Sequence, residues 1–318
     1  MPSKIVLIGT GGTIAGLAPD AANAGQYQAA QLSVQALLQG LPGSDAVPVE
    51  AVQLAQIDSK DMDDAVWRAL LQACHSAMLN PEVRAVVITH GTDTIEETAW
   101  FLQECLGRLP KPVVLTCAMR PANALMPDGP QNLRDALAVA TTEAGLPEVV
   151  VVADREVHAA RWVQKIHPHR LQAFGSGEQG PAGWVENGRV RWAYAAAADA
   201  RPDYRGEQAV QALAQAGQPW PWVEVVTSHA GARTELIPAL LQAGVQGLVL
   251  ACTGNGTLHQ AMEAGVAQAH RQGVPVWRSS RCALGQILEA SPAAEAPPAS
   301  ALSAVKARVS LQLRLLGL

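Results

Sequence analysis

The sequence predicts an α/β protein with a larger N-terminal domain, built on a mostly parallel sheet flanked by helices, and a smaller C-terminal α/β domain with a parallel sheet of its own. Three observations carry that prediction. Short continuous runs of β-branched and aliphatic residues recur along the chain and end in small or polar residues. Amphipathic stretches of helical period separate several of them. One long segment rich in Ala, Gln, Pro and Gly interrupts the alternation. Continuously apolar strands suit a sheet covered on both faces, because neither face meets water.

The first run, Ile5–Ile8, passes at once into Gly9-Thr10-Gly11-Gly12. It is too short for a secretory apolar region and reads as a buried strand. After the Val49–Ile57 stretch, the segment Asp61–Leu79 has helical period, and Ala85–Thr89 is the next buried strand. Glu96–Gly107 and Leu133–Ala144 read as helices, Val113–Thr116 and Val149–Ala153 as strands. Ala195–Pro219, with its charged island Asp203-Tyr204-Arg205, reads as an interdomain connection with room for a short helix. The expected division is therefore residues 1–194, a linker over 195–219, and residues 220–318. Val223–Thr227 and Leu248–Cys252 are strands of the second domain, Ser291–Ser300 a loop, and Lys306–Leu316 a docked final element, strand or helix.

Composition narrows the function classes. In 318 residues, a hydrophobic share of 49% and a charged share of 16% support a real core and exclude a disordered chain. A net charge of −5 without basic clusters argues against a nucleic-acid or membrane-surface binder, and no apolar run is long enough to span a bilayer. The five cysteines (Cys74, Cys105, Cys117, Cys252 and Cys282) form no C-x-x-C pair. They read as buried reduced thiols in a reducing, cytoplasmic setting rather than a disulfide framework or zinc site. His167-Pro168-His169 lacks a carboxylate in any recognisable ligand motif and reads as surface loop, so neither metal nor cofactor is expected.

In parallel sheets, sites form in the loops beyond the strand C-termini. The loop after the first strand, Gly9-Thr10-Gly11-Gly12-Thr13-Ile14-Ala15-Gly16, fails as a dinucleotide fingerprint: Ile14 stands where a third glycine is needed and no acid follows about twenty residues on. What remains is a tight turn expected to expose the Thr10 and Thr13 hydroxyls. The loop after Ala85–Thr89, His90-Gly91-Thr92-Asp93-Thr94, brings two more hydroxyls and a carboxylate to the same sheet edge. Asp93 or Thr94 is a candidate N-cap for the helix that follows, with Glu96 and Glu97 complementing its dipole. His90 is expected to pack and hydrogen-bond beneath the loop.

Gly11-Gly12-Thr13-Ile14-Ala15-Gly16 and His90-Gly91-Thr92-Asp93-Thr94-Ile95-Glu96-Glu97 resemble the two signature stretches of bacterial-type L-asparaginases and glutaminase-asparaginases. The resemblance continues through Ile57-Asp58-Ser59-Lys60-Asp61-Met62, Ala118-Met119-Arg120-Pro121, Asp128-Gly129-Pro130, Gly254-Asn255-Gly256 and Ser279-Ser280-Arg281, in order and nearly end to end. The Ala-Met-Arg-Pro stretch is similar to the type II branch, whose members are usually exported homotetramers; this chain shows no export signal. The resemblance implies hydrolysis of asparagine to aspartate and ammonia through an acyl-enzyme on Thr13, with Tyr27 closing over it on a loop flanked by Gly16 and Gly25. It implies a second group, Thr92 with Lys165 and Asp93. A lysine desolvated beside a hydroxyl can act as a base, and Asp93 is also free to hold the substrate ammonium. Backbone N–H groups of Thr92 and Ala118 are the implied oxyanion donors, with Gly91 lining the same loop, and Ser59 the partner of the α-carboxylate. A homo-oligomer, a dimer of dimers with each site shared between subunits, is the implied assembly.

Two positions depart from the pattern. Lys60 stands where the family commonly has Gln or Glu, and Thr257 where it often has Asn after Gly-Asn-Gly. A cation beside the expected ammonium and a shortened polar contact predict a high KM for asparagine. Glu289, with Glu295 as its rival, is the candidate acid that binds the amine and steers Tyr27. The alternatives left open are an amidohydrolase for glutamine or another small amide, and a catalytically weak amino-acid-binding member.

Overall fold

The computed structural model describes residues 4–23, 25–41, 47–142, 148–194, 203–216, 219–288 and 297–318. The chain divides into two compact units, Met1–Gln211 and Ala212–Leu318.

The first unit is built on an eight-stranded sheet. Its parallel part comprises β1 (Lys4–Gly11), β2 (Val49–Ile57), β3 (Val83–Thr89), β4 (Val113–Thr116) and β5 (Val150–Ala153), in the order β2-β1-β3-β4-β5. β4 and β5 are buried at every residue and β3 at all but one, as their continuous apolar sequences require. β2, at the sheet edge, is only part-buried, which fits its mixed sequence. Beyond β5 the sheet continues antiparallel through β6 (Glu156–Ala159), β9 (Gly183–Glu186) and β10 (Arg189–Trp192). A two-stranded ladder, β7 (Gln164–Lys165) with β8 (Phe174–Gly175), stands apart from it.

One face of this sheet presents Ile5, Leu7, Ala85, Val87, Val114, Val150 and Val152. Against it lie α1 (Val34–Gln39) and α4 (Gly129–Thr141), the latter through Leu133, Ala136, Val139 and Ala140. The helices α2 (Asp64–Leu79) and α3 (Ile95–Leu106) pack on β3 and β5. They are joined by a Trp67–Phe101 stack at 4.8 Å and by the Trp67 indole N–H donating to Thr98 Oγ1 at 2.9 Å. Asp63 starts α2 by accepting the Val66 N–H at 2.9 Å. Helix α5 (Gly206–Gln215) falls within the segment read as a connection; residues 195–202 and 217–218 of that segment lie outside the described residues.

The second unit holds the parallel strands β11 (Val223–Thr227), β12 (Gly247–Cys252) and β13 (Val276–Ser280) in the order β11-β12-β13. α6 (Leu236–Gln242) and α7 (Gln260–Arg271) pack on one side through Ile237, Leu241, Met262 and Val266. The final element is a helix, α8 (Ala304–Leu315), which seals the other side with Ala307 and Leu311 against Val223 and Val249.

In the first sheet, β2 lies on one side of β1 and β3 on the other. The chain thus leaves the carboxyl ends of β1 and β3 in opposite directions, and the crevice between them is where open α/β sheets bind ligands.

Candidate active site

The loop after β1 needs glycine for two reasons. Gly11 and Gly12 have φ of 107° and 80°, a region that side chains other than glycine rarely adopt, and a Cβ on Gly12 would collide with the backbone of Gly91. The two threonines expected to be exposed together part company because Thr10 still belongs to β1 and Thr13 to the turn beyond it. The Thr10 hydroxyl is buried and donates to the Thr89 carbonyl at 2.9 Å, so Thr10 is a sheet tie rather than a site group. Thr13 opens a short 3₁₀ turn, Thr13–Ala15, and is 5% exposed rather than open to solvent. Its Oγ1 shares a 2.7 Å hydrogen bond with the Tyr27 phenol. The loop that carries Tyr27 is laced shut. Leu17 and Gln28 exchange backbone hydrogen bonds, the Asn123 amide pairs with both backbone groups of Ala18, and the Ala122 N–H donates to the Gly16 carbonyl. Gly16 leaves room for the tyrosine ring, which a Cβ there would meet at 2.9 Å.

The loop after β3 supplies the second group. The Lys165 ammonium on β7 donates to Thr92 Oγ1 at 2.8 Å and to the Asp93 carboxylate at 2.6 Å. Ser59 Oγ accepts the Asp93 N–H at 3.2 Å, and Gly91 has no room for a Cβ because Ser59 fills that space. Thr94 is the N-cap of α3 by position, but its hydroxyl does not cap. It donates instead to the Ser59 carbonyl at 2.7 Å, tying the two loops together. His90 lies fully buried under the loop with Nδ1 2.7 Å from the Gly91 carbonyl, and burial lowers its pKa to about 4.

Asp128 holds the third loop. Its two carboxylate oxygens accept the N–H groups of Met119 and Arg120, each at 2.9 Å, while the Asn132 amide donates to the Cys117 carbonyl at 3.0 Å. Ala118, fully buried, is thereby fixed next to Ile14 and Ala15. Among the described residues the N–H groups of Thr92 and Ala118 meet no acceptor.

Other expected site residues stand differently. The Lys60 ammonium is turned to the Asp61 carboxylate beside it, and the side chain is 60% exposed. In the second unit, the Thr257 hydroxyl is engaged with Thr253, at 2.9 Å from its Oγ1 and 3.1 Å from its carbonyl. Glu289 and Glu295 lie outside the described residues. Among the described residues no group of three or more His, Cys, Asp and Glu is placed to hold a metal ion. Four cysteines are buried, but Cys282 is exposed because its loop leaves β13 for the surface, which corrects the reading of five buried thiols. Among the described residues no helix is long and apolar enough to cross a membrane.

Residues 4–198 match the family described as "Asparaginase, N-terminal", and residues 222–316 the "Glutaminase/Asparaginase C-terminal domain". The chain belongs to the asparaginase family. It is 35% identical to a "Probable L-asparaginase periplasmic" of Haemophilus influenzae, over 98% of this chain and 88% of that one. It is 34% identical to a glutaminase-asparaginase of Acinetobacter glutaminasificans, over 90% and 86%. The crystal structure of a probable cytoplasmic L-asparaginase from Campylobacter jejuni superposes with a TM-score of 0.87 at 31% identity, covering 98% of this chain and 95% of that one.

Against this asparaginase frame, sequence reasoning had overlooked the residues that hold the loops rather than line them. Asn123 and the carboxylate cradle of Asp128 carry the weight of the Thr13 and Ala118 loops. The one available signal was Asp128-Gly129-Pro130, an acid just before a Pro-started helix, which reads as a cap. Asp128 makes no side-chain cap bond to α4 and turns back to the preceding loop instead.

Proposed function

We propose that the protein is an L-asparaginase that hydrolyses the side-chain amide of asparagine to aspartate and ammonia. The observation that carries this reading is the pairing of two separately activated hydroxyls, Thr13 with Tyr27 and Thr92 with Lys165, on the adjoining loops after β1 and β3. Thr13 Oγ1 attacks the amide carbonyl carbon while Tyr27, at 2.7 Å, orients the hydroxyl and relays its proton. The N–H groups of Thr92 and Ala118 receive the developing oxyanion. The nitrogen takes a proton and leaves as ammonia, and the acyl group remains on Thr13 as an ester. Water then attacks the ester, passing a proton through the Thr92 hydroxyl to Lys165, which acts in this step as the neutral amine, and aspartate leaves as Thr13 regains its proton. Ser59 binds the α-carboxylate and Asp93 the α-ammonium.

Glutamine is the second substrate of this reading, because one relative is named a glutaminase-asparaginase. The functional assembly is a homo-oligomer, a dimer of dimers, working in the cytoplasm, with the domain division at residues 195–219. Leu125 and Met126, each 73% exposed on a loop bonded to the Tyr27 segment, supply apolar surface that association would cover. A panel of small amides assayed for ammonia release tests the substrate, and trapping of an acyl group on Thr13 tests the mechanism. Asparagine bound without ammonia release would mark an amino-acid-binding protein instead. Sedimentation during turnover tests the assembly, and an active monomer would rule it out.

A further inference from the structure

Lys165 reaches Thr92 from an element outside the main sheet. β7 and β8 pair only with each other, through two residues each. The position of the ammonium therefore depends on whatever fixes this small hairpin to the first unit. Buried Val163, Ala173 and Phe174 give it an apolar footing, while Ile166 at its turn is 62% exposed.

The polar footing comes from β6. Glu156 and His158 are two residues apart on that strand, so their side chains leave the same face. His158 is 1% exposed, and its Nδ1 shares a 2.9 Å hydrogen bond with Oγ of Ser176, the residue that follows β8. Its Nε2 lies 3.5 Å from the Glu156 carboxylate. Burial and the Asp154 charge raise the pKa of that carboxylate, while Gln172, in the turn that joins β7 to β8, and Trp184 on β9 pull it back down. One face of β6 thus holds the hairpin at the residue just after β8. The same three residues have the makeup of a nucleophile, base and acid, but Ser176 is 4% exposed and His158 less, so no substrate reaches that hydroxyl.

We propose that Glu156 and the buried His158 form a polar clamp that positions Lys165 at Thr92, an inference that rests on the reading of Lys165 as the base. A buried imidazole whose two nitrogens are both engaged holds its partners in one arrangement, because any shift strands a buried polar group. His158 is a positioning residue in this account, since it touches neither Thr92 nor Asp93.

The test compares Ser176→Ala, His158→Asn and His158→Leu with Lys165→Met in the full chain, with kcat and KM for asparagine measured for each. Ser176→Ala should lower kcat on the order of tenfold while KM stays within about twofold, since proton transfer suffers and the Ser59 and Asp93 contacts do not. His158→Asn puts an amide where Nδ1 stands and should restore most of kcat, whereas His158→Leu should not. In the Lys165→Met background, Ser176→Ala should lower the residual rate no further. The amide of Ile166, which donates to the Ala173 carbonyl at 2.7 Å, should exchange faster in Ser176→Ala. Full turnover in Lys165→Met would overturn the base assignment and the clamp with it. An inactive Lys165→Met beside a Ser176→Ala of native kcat would overturn the clamp alone. Should His158→Leu fail to fold, Ser176→Ala and His158→Asn decide the matter.

Discussion

Gly12 and Gly91 meet backbone to backbone at the carboxyl ends of β1 and β3, and neither position has space for a Cβ. This approach brings the Thr13 and Thr92 loops together, so the geometry of both hydroxyl groups rests on two missing side chains. Gly12→Ala should therefore remove nearly all turnover. It should also destabilise the fold, by about 1–3 kcal/mol for the positive φ alone. Gly91 has no positive φ, and its nearest obstacle is the Ser59 side chain, so Gly91→Ala should be milder in stability and still weaken substrate binding at Ser59. Denaturant unfolding beside an ammonia assay reads both effects; native turnover in Gly12→Ala would contradict the account.

Thr13→Ala and Thr92→Val should each abolish most activity. Both side chains are buried, at 5% and 6% exposure, so the reason the fold survives is not solvent exposure but small volume change. Valine matches threonine in shape and leaves the Lys165–Asp93 contact in place; alanine at position 13 removes only a hydroxyl and a methyl, a loss of about 1–2 kcal/mol. The two variants should differ in what accumulates. Thr92→Val retains a nucleophile and should be slow to release its acyl group, whereas Thr13→Ala should form none. Mass spectrometry of rapidly quenched enzyme distinguishes them, and an acylated Thr13→Ala would show that the nucleophile lies elsewhere.

The parallel half of the large sheet was legible because β1, β3, β4 and β5 are buried on both faces and so read as unbroken apolar runs. The antiparallel extension was not. β6 and β10 are four residues each and carry Glu156, Arg189 and Arg191, so tertiary pairing rather than local pattern makes them strands. β13 was hidden in the same way by Arg278, whose guanidinium is held by the carbonyls of Pro297 and Gly256. The placing of loops after strands located Thr13, Thr92 and Asp93 without any relative. Tyr27 and Lys165 needed the family resemblance, because nothing local marks a tyrosine fourteen residues from its partner, or a lysine seventy-three residues from its own. Of the residues that support the loops, Asn123 and His158 were invisible because long-range contacts leave no periodic trace, and Asp128 showed only as an acid before a Pro-started helix, its turn back to Met119 and Arg120 unmarked.

His90 should make stability depend on pH near neutrality. Burial lowers its pKa from 6.5 to about 4, so as pH falls the unfolded chain takes up the proton before the native state does. Stability is complete above about pH 6.5, declines as pH falls toward 4, and loses no more to this group below that. The full span is about 3 kcal/mol, of which about 2 lie between pH 6.5 and 5, above the range where most carboxylates titrate. His90→Asn keeps a donor for the Gly91 carbonyl and should flatten that slope. Urea unfolding of both proteins at several pH values checks it, and equal slopes would mean that His90 is not the group responsible.

The last prediction concerns KM. Lys60 and Thr257 are the positions at which the sequence is expected to depart from the family pattern, and a desolvated cation beside the substrate ammonium would raise KM strongly. The structure places the Lys60 ammonium on the Asp61 carboxylate in solvent, where the neighbouring Asp58 and Asp93 carboxylates also favour its charged form. An exposed, paired and screened charge acts weakly at a distance. Lys60→Gln should therefore lower KM by less than about fivefold, with kcat unchanged. Asp61→Asn should do the opposite. It frees the ammonium to turn toward Asp93, where it competes with the substrate amine, and KM should rise. Thr257→Asn should add to Lys60→Gln independently, because the Thr257 hydroxyl is occupied with Thr253 in the second unit. Saturation curves for the three variants decide the matter. A fall of a hundredfold in Lys60→Gln would show that the lysine enters the pocket when substrate binds, and no change in Asp61→Asn would show that Lys60 is not felt at Asp93 at all.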